Sequence, residues 1–134
     1  MTDADPTDLI HLEDPGGDRC VVRVAGREPG LRDDHDMLRA AILVHADFVD
    51  ARLELHLSPR DLDAWQAGLN GLRPGTGTSL GGERGAGLAV HLQEDRSLAV
   101  TVHDPDRLSV VLWIQPPENW TDEHLERLER VRRS

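Results

Sequence analysis

Lysine and tyrosine are absent from the chain, and cysteine and phenylalanine each occur once. Without lysine there is no side-chain amine to form a Schiff base, to act as a general base or to grip a phosphate. All fifteen basic residues are arginine. The lone Cys20 excludes an internal disulfide and a multi-cysteine zinc site. Its place in line with the apolar positions Val22 and Val24 of an expected strand points to a buried thiol rather than a nucleophile. With three tryptophans and one phenylalanine, the core has to be aliphatic. No apolar run approaches the ~18 residues of a spanning helix. The acidic, polar start over Met1–Asp8 is also unlike a secretory signal. The expected location is therefore the cytoplasm, and a membrane is not expected as a partner. A net charge of −10 argues against nucleic acid as well, because both surfaces call for a basic patch.

What is present is alternation. Ile10 and Leu12 alternate with His11 and Glu13, and Cys20, Val22 and Val24 alternate with Arg23. Leu38, Ala40, Ile42, Val44 and Ala46 share one face of the next segment. In VDARLELHL, Val49, Ala51, Leu53, Leu55 and Leu57 point one way, and Asp50, Arg52, Glu54 and His56 the other. Three further segments centre on Val90, Val100 and Val110. Period-two patterning of this kind marks strands with one wet face, and short connections favour antiparallel hairpins.

Two helices interrupt the strands. Ser58 reads as an N-cap with Pro59 at the first helical position and Asp61 reaching back. Leu62, Trp65, Leu69 and Leu72 then form a stripe. A second helix is expected from Thr121 as cap, with Trp120 stapled onto Leu125 and an apolar line of Leu125, Leu128 and Val131. Glu123–Arg127, Glu126–Arg130 and Glu129–Arg133 are spaced as i,i+4 pairs. The pattern predicts a single α+β domain over 1–134. It holds a mostly antiparallel sheet of about seven strands, one helix on a sheet face and a C-terminal helix. Residues 1–8 are expected to be disordered.

The run PGTGTSLGGERGAG, Pro74–Gly87, raises the question of a phosphate loop. Such a loop follows a strand, opens a helix and ends in a lysine, whereas here a helix precedes the run and a strand follows. The expectation is a flexible connector. Five histidines, at 11, 45, 56, 91 and 103, fall on polar strand faces, but no HxH or HxxxH pair accompanies them, so no metal and no cofactor is expected. Ser58 is occupied as a cap, Ser97 and Ser109 read as strand residues, and no GxSxG elbow exists. Asp104 and Asp106 flank Pro105 as a turn. Trp113 lies opposite Leu112 and Ile114, where the C-terminal helix is expected to cover it. The chain is not expected to be an enzyme. Its candidate partner-binding residues are Asp47, Asp50, Arg52, Glu54 and His56, charges set on rigid strand positions.

Three segments, DLIHLEDPGGDRCVVRVAGR, VDARLELHLSPRDLDAWQAGLNGL and LAVHLQEDRSLAVTVHDP, resemble a group of small uncharacterised actinobacterial proteins. More distantly, the order of strands, LSPxDLxxWxxxLxxL helix and paired strands is similar to the WapI-type immunity proteins. That resemblance implies a cytoplasmic antidote that neutralises a cognate toxin by binding it, and an acidic antidote suits a basic toxin domain. The matching residues Leu57, Pro59, Leu62, Trp65 and Leu69 are core positions. The family has a tryptophan or polar-aromatic segment where this chain has its glycine run. The alternative role is an accessory or scaffold subunit of a larger assembly.

Overall fold

Every segment that alternates in the sequence is a strand. The structure is a computed structural model that describes residues 7–28, 37–82 and 85–133. The strands are β1 (Thr7–Glu13), β2 (Arg19–Glu28), β3 (Met37–Ala46), β4 (Val49–Leu57), β5 (Gly77–Gly81), β6 (Gly87–Leu92), β7 (Leu98–Asp104) and β8 (Leu108–Ile114). Helix α1 (Pro59–Asn70) follows β4, and α2 (Trp120–Arg133) follows β8. The fold is α+β, with two antiparallel four-stranded meanders ordered β1-β2-β3-β4 and β5-β6-β7-β8. Thr7 and Asp8 belong to β1, so the disorder expected of 1–8 does not hold for them; residues 1–6 lie outside the described residues.

The strand missed in the sequence is β5. It lies inside the glycine run, so Gly77–Gly81 is strand rather than part of the flexible loop expected over 74–87; residues 83–84 lie outside the described residues. Its pairing with β6 sets Thr78 against Val90 and Leu80 against Leu88. Only Leu80 supplies an apolar side chain to the core, and one residue makes no visible alternation. The glycines serve close approach: a Cβ on Gly77 would stand 2.6 Å from the Val90 carbonyl oxygen, well inside ordinary contact. Hydrogen bonds from Gly75 N to Leu92 O (2.8 Å) and from Leu92 N to Thr76 O (2.9 Å) extend the ladder.

The apolar faces of both sheets and the stripes of both helices form one buried cluster. Helix α1 starts as its sequence demands. Ser58 Oγ accepts from Asp61 N at 3.1 Å and Asp61 Oδ2 accepts from Ser58 N at 2.8 Å, a reciprocal box. Leu62, Trp65 and Leu69 are its buried residues, and the helix lies along β5. The approach is so close that a Cβ on Gly68 would overlap Thr78 Oγ1 and stand 2.5 Å from Thr78 Cβ. Gly68→Ala is therefore expected to cost about 1–3 kcal/mol, the usual range for overpacking, although alanine is the better helix former. Adding Thr78→Ala should restore part of the loss. Urea midpoints of the two variants check this, and an unchanged midpoint for Gly68→Ala would put α1 farther from β5.

Helix α2 returns to β1. It begins at Trp120, one residue before the expected cap Thr121, and Glu123 N donates to Asn119 O at 3.0 Å. Its buried residues are Trp120, His124, Leu128 and Val131. Leu125 is only partly buried, so the buried line is rotated toward His124. Of the three expected pairs, Arg127–Glu123 forms at 3.6 Å, while Arg132 meets Glu129 at 3.2 Å and Asp63 of α1 at 2.7 Å. Arg132 also donates to Gln66 Oε1 at 2.7 Å, clamping the two helices. Arg27 donates to Val131 O at 3.0 Å, satisfying a carbonyl of the last turn.

The unpaired edge of β1 is closed by side chains of α2. His11 N donates to His124 Nε2 at 3.1 Å, and Arg127 Nη1 donates to Asp8 O at 3.1 Å. His124 Nδ1 in turn donates to Trp120 O at 2.7 Å, so both ring nitrogens are committed. An imidazole and a guanidinium thus stand in for a fifth strand on an edge that would otherwise present free backbone groups.

Candidate functional site

Three rows of side chains cross the solvent face of the first sheet. Glu13, Arg19, His45 and Asp50 form one row, and His11, Val21, Leu43 and Arg52 the next. Asp8, Arg23, Ala41 and Glu54 form the third. Arg39 and His56 stand opposite each other beyond it. Four of the five residues singled out in the sequence, Asp50, Arg52, Glu54 and His56, therefore share this face. Asp47 does not; it sits in the turn after β3 beside Phe48, whose side chain is 67% exposed.

Arginines on β2 and β3 set the electrical character of the face. Arg19, Arg23 and Arg39 join Arg52, so the surface is mixed rather than acidic. Arg23 holds Asp8 through Nε at 2.8 Å and Nη2 at 3.3 Å. Burial pushes the Asp8 carboxyl up, but the Arg23 guanidinium and His11 together outweigh it and keep the carboxyl below its usual range. His45 Nδ1 lies 3.1 Å from Asp50 Oδ1, and His11 Nε2 3.1 Å from Glu13 Oε1. Val21 and Ala41 are buried although they point outward, because the long arginine stems beside them cover small side chains. Val21 and Leu43 floor a groove of about 520 Å³ bordered by His11, Arg19, Arg23, His45, Asp50 and Arg52.

Elsewhere, polar side chains close turns. Ser97 sits in a turn rather than a strand, with its Oγ donating to Asp95 at 2.6 Å. Asp104 accepts from Arg107 Nη2 at 2.8 Å and from Asp106 N at 3.2 Å, closing the β7–β8 turn; the Arg107 hydrogen bond holds its carboxyl below the usual range. Burial pushes the Cys20 thiol up to about 12, which leaves it un-ionised near neutrality. Among the described residues no three His, Cys, Asp or Glu side chains are grouped to hold a metal ion. No helix among them is long and apolar enough to cross a membrane.

A family model matches residues 7–134, which takes in all ten described elements. The chain belongs to DUF5959, a family of unknown function. No curated protein and no solved structure matches it. This DUF5959 chain has a second solvent face of different character. Its rows are Gly77, His91, Ala99 and Trp113; Ser79, Ala89, Thr101 and Val111; and Gly81, Gly87, His103 and Ser109. In a chain of which 30% is charged, none of these twelve positions is Asp, Glu or Arg. Helix α2 lies on β1 and does not cover Trp113 as expected: the indole is 59% exposed, and Val111 is 43% exposed. Nothing in the sequence marks this face, since only the register brings its small residues together.

Proposed function

We propose that this DUF5959 chain is a non-catalytic protein-binding module that docks through the solvent face of its first sheet, and that its role is that of an immunity-type antidote occluding a cognate toxin. The observation that carries the docking proposal is the ordered charge pattern contributed by four hydrogen-bonded strands. Side chains such as Asp8–Arg23 and His45–Asp50 are already paired in place, so a partner meets a prearranged surface and little ordering cost is added on association. Phe48, exposed at the tip of β3–β4 beside Asp47, supplies an aromatic anchor of the kind that concentrates binding energy. The antidote role rests on the resemblance to immunity proteins, and occlusion requires nothing more than such a surface.

The test is Asp47→Arg, Asp50→Arg and Glu54→Arg together. All three side chains are exposed, and surface changes of this kind usually alter stability by less than about 0.5 kcal/mol each, so the thermal midpoint should stay close to the parent's. Association with a toxin partner presenting basic side chains should slow at low salt and lose salt dependence. An unchanged association rate would remove the first sheet from the interface. A second reading, as an accessory or scaffold subunit, is favoured by the charge-free face around Trp113. There Trp113→Ala, rather than the charge reversal, would weaken assembly.

A further inference from the structure

We infer that the groove at the centre of the first sheet is an anion site, taking a carboxylate or phosphate carried on an apolar body. The inference goes beyond protein docking, because a small anion needs no partner chain. Its volume of about 520 Å³ falls within the ~300–1,000 Å³ of small-molecule sites. Three arginines line it against one carboxylate, that of Asp50, in a chain whose net charge is −10. Arginine is therefore concentrated here against the overall balance. Arg23 is committed to Asp8, but the side chains of Arg19 and Arg52 have no hydrogen bond or ion pair among the described residues. These two stand on β2 and β4, one row apart and with β3 between them. At about 4.8 Å per strand and 3.4 Å per residue, their backbones are roughly 12 Å apart, within reach of two long side chains closing on one group over Leu43. A guanidinium offers paired donors matched to carboxylate and phosphate oxygens. The Val21–Leu43 floor accommodates an apolar body beneath the charge, which distinguishes the site from a plain cationic patch.

The probes are 1-naphthoate, 1-naphthyl phosphate and the uncharged 1-naphthalenemethanol, titrated calorimetrically into the full chain. Both anions should bind saturably and the alcohol should not. Arg19→Gln and Arg52→Gln should each weaken the anions about tenfold, while Trp113→Ala on the other sheet should leave them unchanged. Tighter binding of the phosphate would assign the site to a phosphorylated small molecule, and tighter binding of the carboxylate to a carboxylic acid. Either order supports an anion site. Equal binding of the alcohol, or anion binding that survives the double arginine variant, would overturn it. Such a failure would leave the docking proposal standing, since that rests on association rates after the acidic reversal.

Discussion

Trp65→Ala is expected to lose about 3–5 kcal/mol, the cost of emptying a large buried aromatic site. Against the ~5–15 kcal/mol that holds a typical domain, this loss leaves the variant partly unfolded at modest temperature. The indole is fully buried, at 0% exposure, between Leu62 and Leu69 on the stripe of α1, and it belongs to the cluster shared by both sheets. Trp65 Nε1 has no hydrogen-bond partner among the described residues. A buried donor left unpaired costs about 1–3 kcal/mol, so Trp65→Phe removes a penalty along with some volume. It should destabilise far less than the alanine variant. Urea midpoints at constant slope give both numbers. A Trp65→Ala midpoint near the parent's would mean that α1 is not part of the core.

His124 should make the protein acid-sensitive above the range where carboxylates titrate. Burial disfavours the charged ring and lowers its pKa from the ordinary 6.5; the Trp120 carbonyl and Glu123 act the other way, and Arg127 and His11 add to the lowering. The unfolded chain therefore takes up the proton first. Stability is complete above about pH 6.5 and falls as pH drops below it, toward the lowered folded value. Protonation would also turn Nε2 into a donor facing the His11 amide, which is itself a donor. The thermal midpoint should decline between about pH 7 and 5, where Asp8 and Asp104, whose carboxyl pKa values are lowered, stay charged. His124→Leu should flatten that decline. It should also cost about 1 kcal/mol at neutral pH, because the part-buried His11 amide loses its partner. A variant with the parent's pH profile would assign the acid response to another group.

Seven strands and the start of α1 were legible because their signals are local. A strand with one wet face writes itself as alternation, and a capping box is four residues long. The second sheet was legible as strands but not as a separate sheet, since strand order leaves no trace in spacing. Strand β5 was hidden because a glycine such as Gly77 answers to close backbone contact with β6, and glycine otherwise signals a turn. His124 was hidden because its partner is the amide of His11, 113 residues away. The candidate face was half visible for the same reason. Asp50, Arg52, Glu54 and His56 are two residues apart on one strand. Arg19, Arg23 and Arg39 become their neighbours only through the register of β2 with β3 and β3 with β4.

The way α2 closes β1 has a consequence for how the chain is made. During synthesis His11 emerges long before His124. At roughly 5–20 residues per second, the 113 residues that separate them take on the order of ten seconds to appear. Once β4 has followed, the first meander can pair its strands, yet until α2 appears the outer backbone of β1 has nothing to bond except water, a chaperone or another nascent chain. The period of greatest risk is thus translational, and slowing the ribosome between β8 and α2 should raise aggregation without changing the finished protein's stability.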